Sequence, residues 1–487
     1  MKRRPAGIWA GRAPLFSHRE EGDGTVLALW KRILTLALPS IATFSSMTFT
    51  GMLTLVIVGR LGAAAITVVG ISNIIMYNTW ALFAGINEAV NYLVAQNYGE
   101  GTMREGNERM QAALWLSLGC SALVLLGSLA LPAHIFAWMG ANAQLVRDGA
   151  PYLQARMWAF AFSILSNVYF AYMRAVGDTK TPMYISLGTN VLLVTLTYGW
   201  TYGRFGLPQG GLTAAGLSMV VSEGIGFLLC LAVHYGLYHR RFATRAWYAV
   251  SPSQMAVVGR ESVKLSAMEL AMSLGMLVFT ACITSLGTAA VAANEIALNI
   301  LSLGFMPANG FGMAATIAVG QELGAGRPLV ARRVGLHTVG LGVAFMALFS
   351  VFLLVCAGPV ARIYTSDPKV VALAVGLIHL ASAVQLFDGG GIIFGGGLRG
   401  VGDTTYLFRI SALLNWLVFV PLTIVLTRFL HLGQTGAWVA LCTLIVLMCF
   451  ANGARYVWLR WEALLTVSAA QAGRDRRAAR EDVLTPG

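Results

Sequence analysis

The sequence predicts an all-α integral membrane protein of twelve transmembrane helices, in two parallel six-helix bundles related by pseudo-twofold symmetry. Three observations carry this expectation. The 487 residues are 57% hydrophobic and only 11% charged, whereas a water-soluble globule has about 25% charged residues. Apolar stretches of about 20 residues or more, long enough to cross a hydrocarbon core of roughly 30 Å, fall at 33–58, 66–95, 112–133, 151–173, 182–203, 210–236, 262–286, 288–318, 337–358, 372–397, 405–430 and 433–458. The chain also repeats itself: Arg174, Gly177, Asp178, Thr179 and Asn190 return in the same order and spacing as Arg399, Gly402, Asp403, Thr404 and Asn415, an offset of 225 residues. Six spans per repeat is an even number, so equivalent helices cross in the same direction and a cleft is expected between the halves near mid-bilayer.

Taken in order, residues 1–32 form a basic N-terminal segment whose Lys31-Arg32 leads directly into a long apolar run, which reads as a retained first helix and not a cleaved signal. Pro39 lies inside that helix, where it removes a backbone hydrogen bond and is expected to kink it. The N-lobe spans 33–236. Its Leu61-Gly62 turn, Gly85, and the step Gln96, Gly99, Gly101 are answered by Leu286-Gly287, Gly310, and Gln321, Gly324, Gly326 in the C-lobe at 262–458. Residues 237–261, with His239-Arg240-Arg241 and Pro252, form a cytoplasmic linker, and 459–487 a basic cytoplasmic tail. In the tenth span, Gly389-Gly390-Gly391 and Gly395-Gly396-Gly397 admit a neighbouring backbone closely and equally permit local unwinding.

The net charge of +13 would suggest nucleic acid in a soluble protein. Here it follows the positive-inside rule: with both termini cytoplasmic, the outer segments hold only Arg60, Arg147, Arg156, Arg204, Arg362, Lys369 and Arg428 of the 34 Lys and Arg. The expected location is the inner, plasma membrane. No nucleic-acid partner is expected, and the chain is expected to act as a monomer among membrane lipid. The six cysteines all sit in apolar spans without Cys-x-x-Cys spacing, so neither a disulfide framework nor a metal knuckle is implied.

No Walker, His-Glu-x-x-His or Gly-x-Ser-x-Gly pattern is present, which argues against an enzyme and an ATP-driven pump. The histidines are scattered singly and read as packing or interfacial groups. Carboxylates within spans are the sharper signal, because an ionised group in hydrocarbon must be paired, wet or protonated. Glu269 and Asp388 lie roughly 10 and 14 Å deep at about 1.5 Å per residue, and could share a proton or sodium site in the second half. Glu88, Glu223 and Glu295 could take part in function or simply cap a broken helix or meet the interface. Arg174 with Asp178, and Arg399 with Asp403, flank Gly-Asp-Thr sequences at helix ends, where the carboxylate can bind exposed backbone N–H groups and the arginine can pair across the loop. They read as gating or structural groups, like Pro39. Tyr77, Trp80, Phe83, Phe279 and Phe305 could line a cleft for a flat cation or face lipid.

The strings LALPS and VGRLGAAAI, VAQNYGEG, MRAVGDTKTPM with Asn190, SLGTAAVAANEIALNI, FMPANGFGMAATIAVGQELGAGR and LRGVGDT together resemble the multidrug and toxic compound extrusion (MATE) family over nearly the whole membrane region. The resemblance implies a two-lobed antiporter that expels amphipathic, often cationic, organic compounds in exchange for protons or sodium, with no cofactor beyond that ion. By the same resemblance Asp388 matches a carboxylate of the C-lobe cation site, with Gln385 in its neighbourhood, and Glu269 falls about a turn early against the seventh-helix carboxylate. Asn190 is kept, while Thr54 and Val194 stand where many bacterial members carry aspartates, so coupling is expected at Glu269 and Asp388, including any sodium ion. Two other readings stay open: a lipid-linked oligosaccharide flippase, which would need a more cationic cleft, and an intramembrane enzyme, which would need clustered nucleophile, base or metal ligands.

Overall fold

The computed structural model describes residues 24–138, 142–246, 248, 251–364 and 367–464; most of the basic N-terminal segment and tail lie outside them. The described residues form twelve continuous helical segments: α1 (Gly24–Gly59), α2 (Ala63–Glu100), α3 (Met103–Trp138), α4 (Ala143–Ala175), α5 (Lys180–Tyr202), α6 (Gly211–Phe242), α7 (Pro252–Thr284), α8 (Thr288–Gly324), α9 (Pro328–Tyr364), α10 (Pro368–Val401), α11 (Thr404–Phe429) and α12 (Gly433–Trp458). Ten of them are long and apolar enough to cross a membrane; α4 and α5 carry more polar residues and fall short of that measure. The chain is therefore a multi-pass membrane protein. Helices α2, α3 and α4 begin 225 residues before α8, α9 and α10, so the repeat seen in the motifs also sets the helix boundaries.

The expected linker is shorter than 237–261. Helix α6 continues to Phe242 through a π-helical turn at His234–Tyr238, and α7 starts at Pro252. The physical reason is local. Ser251 caps α7, its hydroxyl accepting the Ser253 N–H at 3.3 Å, and Pro252 sits at the first helical position, where its missing N–H has no penalty. Buried Phe242 packs with Tyr172 and Tyr238, which holds the end of α6 onto the first half.

Each half builds its own core, and the two trade the opening turns of their first helices. Tyr172, Met173, Val168 and Met110 of the first half pack with Val258 and Leu265 of α7. Leu29, Ile33, Leu36 and Ala37, one stripe of α1, pack into the second half against Phe311, Ala314, Ala318 and Ile393. The second-half core gathers Phe279, Leu353, Leu377, Phe419 and Trp438. Helix α1 runs unbroken through Pro39. The carbonyl that proline leaves without an N–H donor is that of Thr35, four residues earlier, and the Thr179 hydroxyl donates to it at 3.1 Å.

Candidate functional site

The helices that end together at one face of the bundle seal it. There α2 and α8 cross at their C-terminal ends, and the contact is reciprocal: the Gln96 amide donates to the Gly400 carbonyl at 2.9 Å, and the Gln321 amide donates to the Ala175 carbonyl at 2.7 Å. Donors and acceptors are both related by the 225-residue offset. The crossing is close enough that a Cβ on Gly99 would run into the Gln321 carbonyl and one on Gly324 into the Gln96 carbonyl. Beside it, buried Glu322 takes Arg32 at 2.6 Å and Arg327 at 2.7 Å, while Arg32 also donates to Gln321 at 2.9 Å. Glu261 of α7 binds Lys264 at 2.6 Å and accepts the hydroxyls of Thr404 and Tyr92.

Away from this seal the halves part around a cavity of about 400 Å³, lined by Ser45, Ser46, Thr48, Phe49 and Met52 of α1 and Leu303 and Met306 of α8. That volume suits a small organic ligand. Its wall is hydroxyl, aromatic and thioether, without a formal charge; methionine adapts its shape to different ligands. Asn190 of α5 donates to the Ser46 hydroxyl at 2.9 Å and so braces this wall. Pro307 denies the Leu303 carbonyl its helical donor one turn away.

Glu269 stands on the face of α7 that meets α2. Two hydrogen bonds between halves bracket it: the Gly85 N–H donates to the Ser266 hydroxyl at 3.1 Å, and the Ser273 hydroxyl donates to the Asn78 carbonyl at 2.8 Å. Across the seam it faces Tyr77, Glu88 and Arg399 electrostatically. Arg399 itself pairs with Glu88 at 2.6 Å, both side chains being 16% exposed. Asp388 has different surroundings. It lies on α10, eleven residues or about 16 Å before Arg399, and its electrostatic neighbour is Cys449 of α12. One turn earlier, fully buried Gln385 packs on Gly304 of α8, and neither atom of its amide finds a hydrogen-bond partner among the described residues. Buried amides are ordinarily satisfied, so Gln385 has lone-pair and donor capacity to offer beside Asp388. The expectation that Glu269 and Asp388 could share one site is thus replaced by two separate stations, since α7 turns Glu269 toward the seam between halves and α10 turns Asp388 toward α12.

A sequence model for the MatE family matches the chain twice, over residues 39–199 and 265–425. The chain belongs to the MatE family. The duplicated match falls within one residue of the motif spacing. Among curated relatives of this MatE protein, a probable multidrug resistance protein NorM of Bradyrhizobium diazoefficiens is 28% identical over 79% of the chain and 84% of the relative. The multidrug resistance protein MdtK of Proteus mirabilis is 26% identical over 88% and 95%. A crystal structure of a mutant Vibrio cholerae MATE transporter VcmN superposes with a TM-score of 0.83 at 19% identity, covering 91% of the chain and all of that structure. An outward-facing multidrug resistance MATE family transporter of the MOP superfamily gives 0.81 at 18% identity, covering 91% and 99%. This MatE chain is a membrane transporter and not an enzyme.

The remaining expected residues divide. Asp178 caps α5: its carboxylate accepts the N–H groups of Lys180 and Thr181 at 3.1 and 3.0 Å, and the hydroxyls of Thr181 and Tyr238 at 2.6 Å each. Burial pushes this carboxyl up, but the hydrogen bonds from Thr181, Tyr238 and the backbone outweigh it and hold the group below its ordinary value. Asp403 instead pairs with Arg455 at 2.8 Å, and Gly177 and Gly402 both take the left-handed conformation, φ 91° and 90°, that only glycine adopts freely. Arg174 reaches Asn87 at 3.5 Å rather than a loop carboxylate. Glu223 accepts from Ser163 of α4, within the first half. Glu295 is exposed on the α8 stripe that continues through Asn299 to Leu303 and Met306, about 12 Å from Leu303. Sequence reasoning passed over Glu322 and Glu261. The signal for Glu322 was adjacent: it follows Gln321 in the repeated step, where its first-half counterpart Asn97 likewise takes an arginine, Arg109, at 2.8 Å.

Proposed function

We propose that this protein is a secondary active antiporter of the inner membrane, exporting amphipathic, cationic organic compounds in exchange for protons or sodium by alternating access. The observation that carries the reading is the pairing of a charge-free, drug-sized cavity between α1 and α8 with a seal at one end only. The positive-inside rule makes the sealed end cytoplasmic, with both termini on that side. The cavity then opens outward. Twelve crossing helices and two parallel lobes related by a pseudo-twofold axis are supported by the matched helix starts and by the reciprocal Gln96 and Gln321 bonds. Multidrug resistance names among the relatives support an organic substrate, and a lining of Phe49, Met52, Leu303 and Met306 suits greasy molecules of varied shape.

Coupling is placed at Glu269 and Asp388, with Gln385 as an added ligand. A cation at either station neutralises a carboxylate held in low dielectric. One net charge moving inward supplies about 2.3 kcal/mol per 100 mV, enough for roughly fiftyfold accumulation at 1.4 kcal/mol per tenfold. Asn190, Glu88, Glu223 and Glu295 are secondary polar groups, of which Asn190 lies nearest the cavity. A flippase for lipid-linked oligosaccharide would want Lys or Arg on the cavity wall, and the seven residues that line it include neither.

Dye-loaded proteoliposomes under an imposed proton or sodium gradient test this. Wild-type protein should accelerate dye movement against the ion gradient, and Asp388→Asn should lower that rate at least tenfold while the purified variant keeps its melting temperature within a few degrees. Equal rates for the two would remove Asp388 from coupling.

A further inference from the structure

The seam beneath Glu269 holds four charges contributed by both halves. Glu88 comes from α2, Arg174 from α4, Glu269 from α7 and Arg399 from α10. Arg399 Nη1 donates to Glu88 Oε2 at 2.6 Å, its Nε has no partner among the described residues, and Arg399 also attracts Glu269 while Glu88 repels it. Arg174, the first-half equivalent of Arg399, is buried, feels Glu88, and reaches the neighbouring Asn87. The other titratable or charged groups along this part of the seam are Tyr77 and Tyr92 on α2 and Glu261 and Lys264 on α7; the last two pair with each other. Glu88 lies two turns from Gln96, so this cluster adjoins the lobe seal directly.

We infer that Arg399 is a positioning residue that transmits cation occupancy at Glu269 to the seal between lobes. Two carboxylates compete for one guanidinium. When a proton or sodium ion from the open side neutralises Glu269, Arg399 belongs to Glu88 alone, the α2–α10 ion pair is at full strength and the end stays shut. When the cation leaves, charged Glu269 draws on Arg399, the pair across the seam weakens, and the lobes are free to part. The inference rests on the antiport reading of Glu269.

The test places spin labels at Glu100→Cys and Leu329→Cys, exposed positions at the sealed end, in full-length protein whose six native cysteines are replaced. Distances are measured in proteoliposomes with the coupling ion present and withdrawn. The account expects the ion to shift the labelled wild type at least fivefold toward the short distance. Glu88→Gln should lose that shift, Arg399→Lys should keep part of it, and Glu88→Arg combined with Arg399→Glu should regain it. If Glu88→Gln responds to the ion as wild type does, or the charge exchange regains nothing over its single variants, Arg399 is no transmitter. Ion-driven dye efflux by the wild type separates the two failures: efflux with an unaltered Glu88→Gln response overturns this inference alone, and no efflux overturns the antiport reading with it.

Discussion

At the scale of single residues, much of the site is backbone repair and charge placement. Thr179 supplies the donor that Pro39 removes from Thr35, so a helix breaker in α1 is tied to the loop before α5. The proline was legible in the sequence; its partner was not, because 144 residues separate donor and acceptor. Asp388 and Glu269 were legible as carboxylates in apolar spans, yet depth along a helix says nothing about azimuth, and azimuth decides that one meets α12 and the other the seam. Asp178 gives a residue-scale prediction. Its carboxyl sits below its ordinary value, so the stabilisation it provides is complete above the unfolded-chain value near about 3.9 and disappears as pH falls through the folded value. Thermal melts of wild type and Asp178→Ala should differ by several degrees near pH 7, through loss of a helix cap of about 1 kcal/mol. That gap should close at the most acidic pH the detergent preparation tolerates. A gap independent of pH would assign the effect to packing.

At the scale of elements, the account depends on α2 and α8. Their glycines were legible as a repeated motif, and the structure shows the reason for them: at Gly99 and Gly324 the backbone of the opposite half occupies the place a side chain would need. Sequence spacing could not reveal that the repeated glutamines exchange partners, since Gln96 binds the carbonyl of Gly400 and Gln321 that of Ala175. The π-helical turns that flank Pro421 in α11 were equally hidden, because hydrophobic periodicity tolerates one extra residue in a turn. Gly324→Val should prevent this crossing from closing. In the account it raises modification of a cysteine at Ser45, in the cavity wall, by reagents added from the cytoplasmic face, and lowers ion-driven efflux at least tenfold. Unchanged reactivity would mean that the α2–α8 crossing is not the gate.

At the scale of the whole molecule, duplication has placed two like-built lobes face to face and let each lend its first helix to the other. The buried stripe of α1, Leu29 to Ala37, belongs to the core of the second half, and the start of α7 to that of the first. Composition and the offset of 225 residues were enough to anticipate a two-lobed, all-helical membrane protein. The lending was not legible, because a hydrophobic stripe does not declare which neighbour will cover it. Lobes joined in this way move about a shared seam, so the charges and hydroxyls on that seam decide which end is open, while the neutral cavity between α1 and α8 carries the cargo.

The exchange itself is the central claim, and its most direct test runs the cycle backwards. Proteoliposomes with no ion gradient are given an organic cation on one side only, and ion movement is read with a trapped pH indicator or with radioactive sodium. The account predicts that the organic gradient drives protons or sodium in the opposite direction, in wild type and not in Asp388→Asn. Movement of the organic cation with no counterflow of either ion would contradict it.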